Sequence, residues 1–189
     1  SQAAGLICSS NILLLSLKHS YLRVSTVCRI IFRITRLQMS IRNKWSWVAG
    51  LATAGVIDSL YLLLFQTKKI DRIICPIFGE GCERVSRHPI AYPRGIPDAI
   101  FGVAGYTAAA AIALAIPRTT GNTQKTLAAA AAGGSVLAAG LSAFLTYAQP
   151  TKTGAWCFWC LVSAIISTTM APIAISGSIE ILRNSNKQE

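Results

Sequence analysis

Trp156-Cys157-Phe158-Trp159-Cys160-Leu161-Val162-Ser163-Ala164-Ile165-Ile166-Ser167 opens the last apolar run of the chain, with a Cys-x-x-Cys in its first turn. The run extends to Leu182 and carries one charge, Glu180. A helix of about 20 apolar residues crosses a bilayer core roughly 30 Å thick, so 156–182 is expected to span a membrane. Pro172 predicts a kink, because proline removes a backbone donor inside a helix.

Three further windows meet the same test. Trp45–Thr67 is interrupted by Asp58 alone, and Trp45 and Trp47 are placed for an interfacial belt. Gly95–Ile116 ends at Pro117, and Leu127–Ala148 is rich in Ala and Gly, including Gly133, Gly134 and Gly140. Helices in lipid associate by close backbone approach through small residues, which predicts a central place for this third helix. The expected fold is an all-α integral membrane protein. It is a four-transmembrane-helix bundle with a cysteine-bearing loop between helices 1 and 2. The chain divides into a basic extension (1–44), the membrane domain (45–182) and a polar tail (183–189).

Composition agrees. Of 189 residues, 52% are apolar and 13% charged, with a mean hydropathy of +0.49, unlike a soluble protein. The net charge of +11 does not point to nucleic acid, because no basic face interleaved with aromatics accompanies it. Basic residues lie in short segments between apolar runs, where they set topology and attract anionic headgroups. Membrane lipid is thus one expected partner. No internal repeat is present. Residues 1–38 lack Asp and Glu, scatter Arg, Ser and Thr around an apolar stretch at Leu6–Leu17, and resemble an organellar targeting peptide. They are expected outside the fold, as a targeting segment or as sequence ahead of a start at Met39, and Cys8 and Cys28 receive no role.

Four crossings put the loop after helix 1 and the loop after helix 3 on one membrane face. Cys75 and Cys82 lie in the first loop, and Cys157 and Cys160 begin helix 4 at the second. One side holds Lys18, Arg23, Arg29, Arg33, Arg36, Arg42, Lys44, Arg118, Lys125, Arg183 and Lys187, which is eleven cations. The cysteine side holds seven: Lys68, Lys69, Arg72, Arg84, Arg87, Arg94 and Lys152. This bias puts both termini inside and the cysteine pairs on the extracytoplasmic or luminal side. Counted from Met39 it is six against seven, and the rule falls silent.

A Cys-x-x-Cys at a helix start is a redox device. Unpaired N–H groups and the helix dipole favour a thiolate there, and a three-residue offset brings the second sulfur onto the same face. Zinc held by all four cysteines, or inert buried thiols, are the bland alternatives; no metal is expected, since the aromatics within the motif suit a redox pair better. Cys75-Pro-Ile-Phe-Gly-Glu-Gly-Cys82 is a loop short enough to close a disulfide and supple enough to move. Alone it reads equally well as a static staple. Beside the second pair, exchange between the pairs becomes the better reading.

The order of these elements, with Gly81-Cys82-Glu83-Arg84-Val85, Gly95-Ile96-Pro97-Asp98-Ala99-Ile100-Phe101-Gly102 and Thr146-Tyr147-Ala148-Gln149 ahead of Trp156–Ser163, resembles the vitamin K epoxide reductase family over about residues 45–182. A functionally related bacterial disulfide-forming enzyme has the pairs in the opposite order. The resemblance implies a four-helix bundle enclosing a quinone of ubiquinone, menaquinone, phylloquinone or plastoquinone type. It implies that Cys75 meets a thioredoxin-like partner, that Cys82 exchanges with Cys157 and that Cys160 faces the quinone. Asp98 stands where some members use an amide near the quinone carbonyl, and would donate there only if protonated; as a helix N-terminal anion it is equally well explained. Phe101, Phe158 and Trp159 are candidate walls of the quinone site, although packing against lipid or at an interface explains Phe158 and Trp159 equally well.

Some positions depart from the family pattern. Animal members that reduce the epoxide carry a tyrosine where this chain has Ala164, so quinone reduction is better supported than epoxide reduction. Ser86 matches the family's loop serine only loosely. No thioredoxin-like domain follows helix 4 up to Glu189, so the donor is expected to be a separate protein. Asp58 in mid-membrane is expected to face the bundle, with a structural hydrogen bond or a proton role. His88 and Tyr92 are read as solvated loop residues. The expected activity is quinone-dependent thiol–disulfide exchange, with epoxide reduction or a non-catalytic scaffold braced by disulfides as the alternatives.

Overall fold

The protein is described here over residues 41–185 of a computed structural model. Four long helices dominate it: α1 (Ile41–Gln66), α3 (Asp98–Ala115), α4 (Gly121–Ala148) and α5 (Phe158–Ser185), with a short α2 (Gly81–Arg87) in the first loop. No strand occurs among the described residues. A 3₁₀ turn at Ile116–Arg118 prolongs α3 to 21 residues, about 31 Å of helix at 1.5 Å per residue. All four are long and apolar enough to cross a membrane. Length and composition thus bear out the four-helix membrane fold, with the cysteine loop between the first two spans.

The centre of the bundle is α1. It packs along both α3 and α5, α4 packs along α5, and α3 and α4 meet over a short stretch only. Close approach depends on three glycines whose absent side chains make room for a neighbour. Gly55 lies against the Tyr106 ring, Gly102 against Ser59, and Gly177 against the Trp45 indole. Tyr106 is then fixed from the far side, its hydroxyl within 2.8 Å of Ser163 Oγ and 2.7 Å of Ser167 Oγ. At the opposite end from the cysteines, Lys44 on α1 pairs with Glu180 on α5 at 2.8 Å, as antiparallel neighbours require.

Two expectations are corrected by this packing. The third apolar helix, α4, is peripheral: Ala128, Ser135 and Ala148 are its buried residues, and nothing lies within 4 Å of where a Cβ would stand on Gly133, Gly134 or Gly140. These three glycines meet no neighbour, and the glycines that bring helices together sit on α1, α3 and α5 instead. Trp45 is not an interfacial anchor either. It is fully buried against Gly177, whereas Trp47 stays exposed. α5 continues through Pro172 as a single helix.

The glycine contacts make a paired test. Gly55→Ala would drive a methyl to 2.6 Å from the Tyr106 ring carbons, an overpacking that should cost about 1–3 kcal/mol and lower the unfolding temperature in detergent by several degrees. Gly140→Ala, with open space around it, should leave that temperature unchanged or raise it.

Candidate functional site

Helix α5 begins at Phe158, which makes Cys157 its N-cap residue. The first amides of a helix have no intrahelical partner, and here sulfur and a buried amide take them up. Cys160 N–H donates to Cys157 Sγ at 3.3 Å, where a serine or aspartate oxygen would sit in an ordinary cap. Phe158 N–H donates to Cys82 Sγ at 3.3 Å. Cys157 N–H donates to Gln149 Oε1 at 2.8 Å, from a buried glutamine in the turn after α4. Three segments distant in sequence thus converge on one helix end.

The two pairs differ in state. Cys75 and Cys82 form a disulfide with their Cα atoms 5.8 Å apart, while Cys157 and Cys160 are thiols, Cys160 Sγ donating to Cys157 Sγ at 2.6 Å. Exposure is graded along the four sulfurs: Cys82 and Cys157 are wholly buried, Cys75 and Cys160 only partly. The inner members lie in one apolar cluster with Leu62, Val85 and Ala99.

Cys82 reaches α5 because it sits on α2 directly after Gly81. A Cβ on Gly81 would collide with the carbonyl oxygen of Trp156. The short helix is otherwise held by buried Val85 and Ser86, by Glu83–Arg87 at 2.7 Å and by Arg87 over the Phe65 ring. An exposed pair of this kind adds only a few tenths of a kcal/mol, so burial of Cys82 and Val85 carries the seat.

The other candidate residues lie around this end. Asp98 opens α3, half-buried, and its Oδ1 accepts from Gln66 Nε2 at 2.6 Å. Gln66 Oε1 in turn accepts from Ala99 N at 3.3 Å, tying α1 to α3. Phe101, one turn on, is 58% exposed. Phe158 is half-buried and meets Trp159 edge-on, and the Trp159 indole N–H donates to Ile74 O at 2.7 Å. Ala164 opens onto an apolar groove of about 570 Å³ between α4 and α5, with Tyr147, Trp156, Leu161 and Thr168 on its walls. Asp58 is buried within α1, and its carboxyl oxygens find no hydrogen-bond partner among the described residues.

Tyr92 and His88 are not merely solvated, as the sequence suggested. Tyr92 Oη donates to Gln66 O at 3.3 Å, and His88 Nδ1 accepts from Ile90 N at 3.2 Å. Gln149, Gln66 and Tyr61 were not singled out from the sequence. A glutamine at the end of an apolar helix is the one signal that pointed to the first two. Cys8 and Cys28 lie outside the described residues.

A family model described as the vitamin K epoxide reductase family matches residues 46–175. No curated protein matches the chain.

One measurement probes the geometry. In a Cys75→Ala/Cys160→Ala background, mild oxidation should join Cys82 to Cys157 readily, and adding Gly81→Ala should lower that yield several-fold.

Proposed function

The chain belongs to the vitamin K epoxide reductase family, and from that premise we propose that it is a membrane thiol oxidase that draws electrons from a thioredoxin-like protein and delivers them to a quinone. Members of the family are oxidoreductases that act with quinones, and four spans fit a multi-pass membrane protein. The observation that carries the reading is the seat of Cys82 Sγ on the first amide of α5, 3.3 Å from Phe158 N, beside buried Cys157. In this reading the cysteine pairs face the extracytoplasmic or luminal side.

The relay runs inward from the exposed loop. A partner thiolate attacks the Cys75–Cys82 disulfide, and the partner leaves oxidised, with both loop cysteines reduced. Cys82 thiolate then attacks Cys157 of the Cys157–Cys160 disulfide, and the displaced electron pair stays on Cys160. Cys75 resolves the Cys82–Cys157 bond, restoring the loop disulfide and leaving Cys157 and Cys160 as the dithiol. This is the redox state seen in the structure. Cys157 Sγ, which accepts from the Cys160 amide and thiol, is the leaving group in that last step.

The candidate residues at the starts of α3 and α5 suit a planar apolar head with one polar anchor. Phe101 and Phe158 offer ring faces or edges, Trp159 extends the wall, and Asp98 offers a carboxyl beside a helix N-terminus. These four are proposed to hold the quinone, with Cys160 facing it. A bound quinone accepts two electrons and two protons, matching what the dithiol gives up. Asp98, braced by Gln66, orients the polar edge, and the apolar cluster around Cys82 and Cys157 keeps water from the exchange. Ala164 brings no hydroxyl to this end, so epoxide reduction is not favoured.

Purified protein given reduced thioredoxin-like partner and a short-chain quinone should consume quinone. Cys157→Ala and Cys160→Ala should reduce turnover to background, and Asp98→Ala should raise the quinone KM several-fold while the Cys82–Cys157 exchange persists. A scaffold would instead keep its cysteines fully oxidised until the protein unfolds, as redox titration with alkylation reads directly.

A further inference from the structure

The backbone of Ile74, the residue before Cys75, is held at both polar groups by side chains. Its N–H donates to Tyr61 Oη at 3.0 Å, and its carbonyl accepts from Trp159 Nε1 at 2.7 Å. Tyr61 comes from the end of α1, Trp159 from between the two cysteines at the start of α5, and the rings meet edge-on with centroids 5.0 Å apart. Phe158 meets Trp159 in the same manner at 5.3 Å. Among the described residues no other hydrogen bond holds the stretch; beyond these two it has the Cys75–Cys82 disulfide itself and the packing of Ile73 on the apolar cluster. Residues 72–75 have no regular structure, and the Ile74 side chain is 74% exposed.

We propose that Tyr61 and Trp159 are positioning residues: they clasp the Ile74 peptide so that Cys75 stays within reach of Cys82 while Cys82 is bonded to Cys157. The inference rests on the relay reading above and names what that reading needs. When Cys82 thiolate attacks Cys157, the Cys82–Cys157 bond forms, the Cys157–Cys160 bond breaks, and Cys160 takes the electron pair and a proton. Cys75 is then joined to Cys82 by no covalent bond. Its thiolate must return, form Cys75–Cys82 and expel the pair onto Cys157. The two electrons come from the partner dithiol, so no further oxidant or reductant enters.

A nucleophile held near its target reacts as if highly concentrated, and a longer free loop dilutes it. The loop from Thr67 to Glu80 would set that dilution if it were anchored only at its ends. The clasp shortens the free arm of Cys75 to one residue. Because Trp159 belongs to the Cys-x-x-Cys itself, the anchor stays in register with the sulfur that Cys75 must displace.

Tyr61→Phe and Trp159→Phe each remove one hydrogen bond and keep an aromatic ring. The full chain in micelles, oxidised at both pairs, receives one equivalent of dithiothreitol, is quenched with acid and alkylated, and its disulfides are mapped by mass. Neither quinone nor partner is present. Each variant should hold about five-fold more Cys82–Cys157 mixed disulfide than the parent, the ratio that one hydrogen bond supports, and the double variant more. Variants with the parental disulfide distribution overturn the clasp, even if their unfolding temperature falls, since a mere brace would lower stability alone. Should Trp159→Phe fail to fold, Tyr61→Phe, which deletes a single oxygen, decides. A parent chain that never moves electrons between its pairs overturns the relay itself, a result distinct from parental exchange with unaltered variants.

Discussion

The architecture depends on one contact: a cysteine on a short loop helix pressed onto the first amide of a membrane helix. Helix starts leave N–H groups unpaired, and burial makes an unpaired donor costly. Here two of those groups are met by sulfur, Phe158 N–H by Cys82 and Cys160 N–H by Cys157. The need that ordinary proteins meet with serine or aspartate is met by cysteine sulfur. Gly81 is the steric condition for it, since any side chain there strikes Trp156.

The rest of the bundle holds that end in place. α1 runs between α3 and α5, its last residue Gln66 fastening the start of α3 through Asp98 and Ala99. Tyr106 binds α3 to α5 through Ser163 and Ser167, one and two turns below Cys160. Gln149 ties the end of α4 to Cys157. Hydrogen bonds of this kind are scarce in a lipid-facing interior, and most of those linking one long helix to another cluster toward the cysteine end.

The four spans, the cysteine loop and the adjacency of the pairs were legible in the sequence, because bilayer thickness fixes window length and parity fixes the face. The packing order was not. Ala and Gly on 127–148 look like an interface, yet composition cannot tell which face of a helix meets its neighbour, and the glycines that matter, Gly55, Gly102 and Gly177, sit singly among larger residues. Trp45 was misjudged for the same reason: a tryptophan at a span's end suits the headgroup layer unless a glycine opposite makes a recess for it. Tyr61 escaped notice, and Gln149, quoted only within the family-like stretch, received no role, because their partners are backbone groups brought near only by folding.

The graded exposure of the sulfurs has a consequence for the cell's redox economy. With Cys82 and Cys157 shut away, the transfer proposed between them would be insulated from the surrounding pool of small thiols. A small soluble reductant would meet the outermost sulfur without intercepting the hand-over, so leakage would be governed by the two ends of that route rather than by its middle.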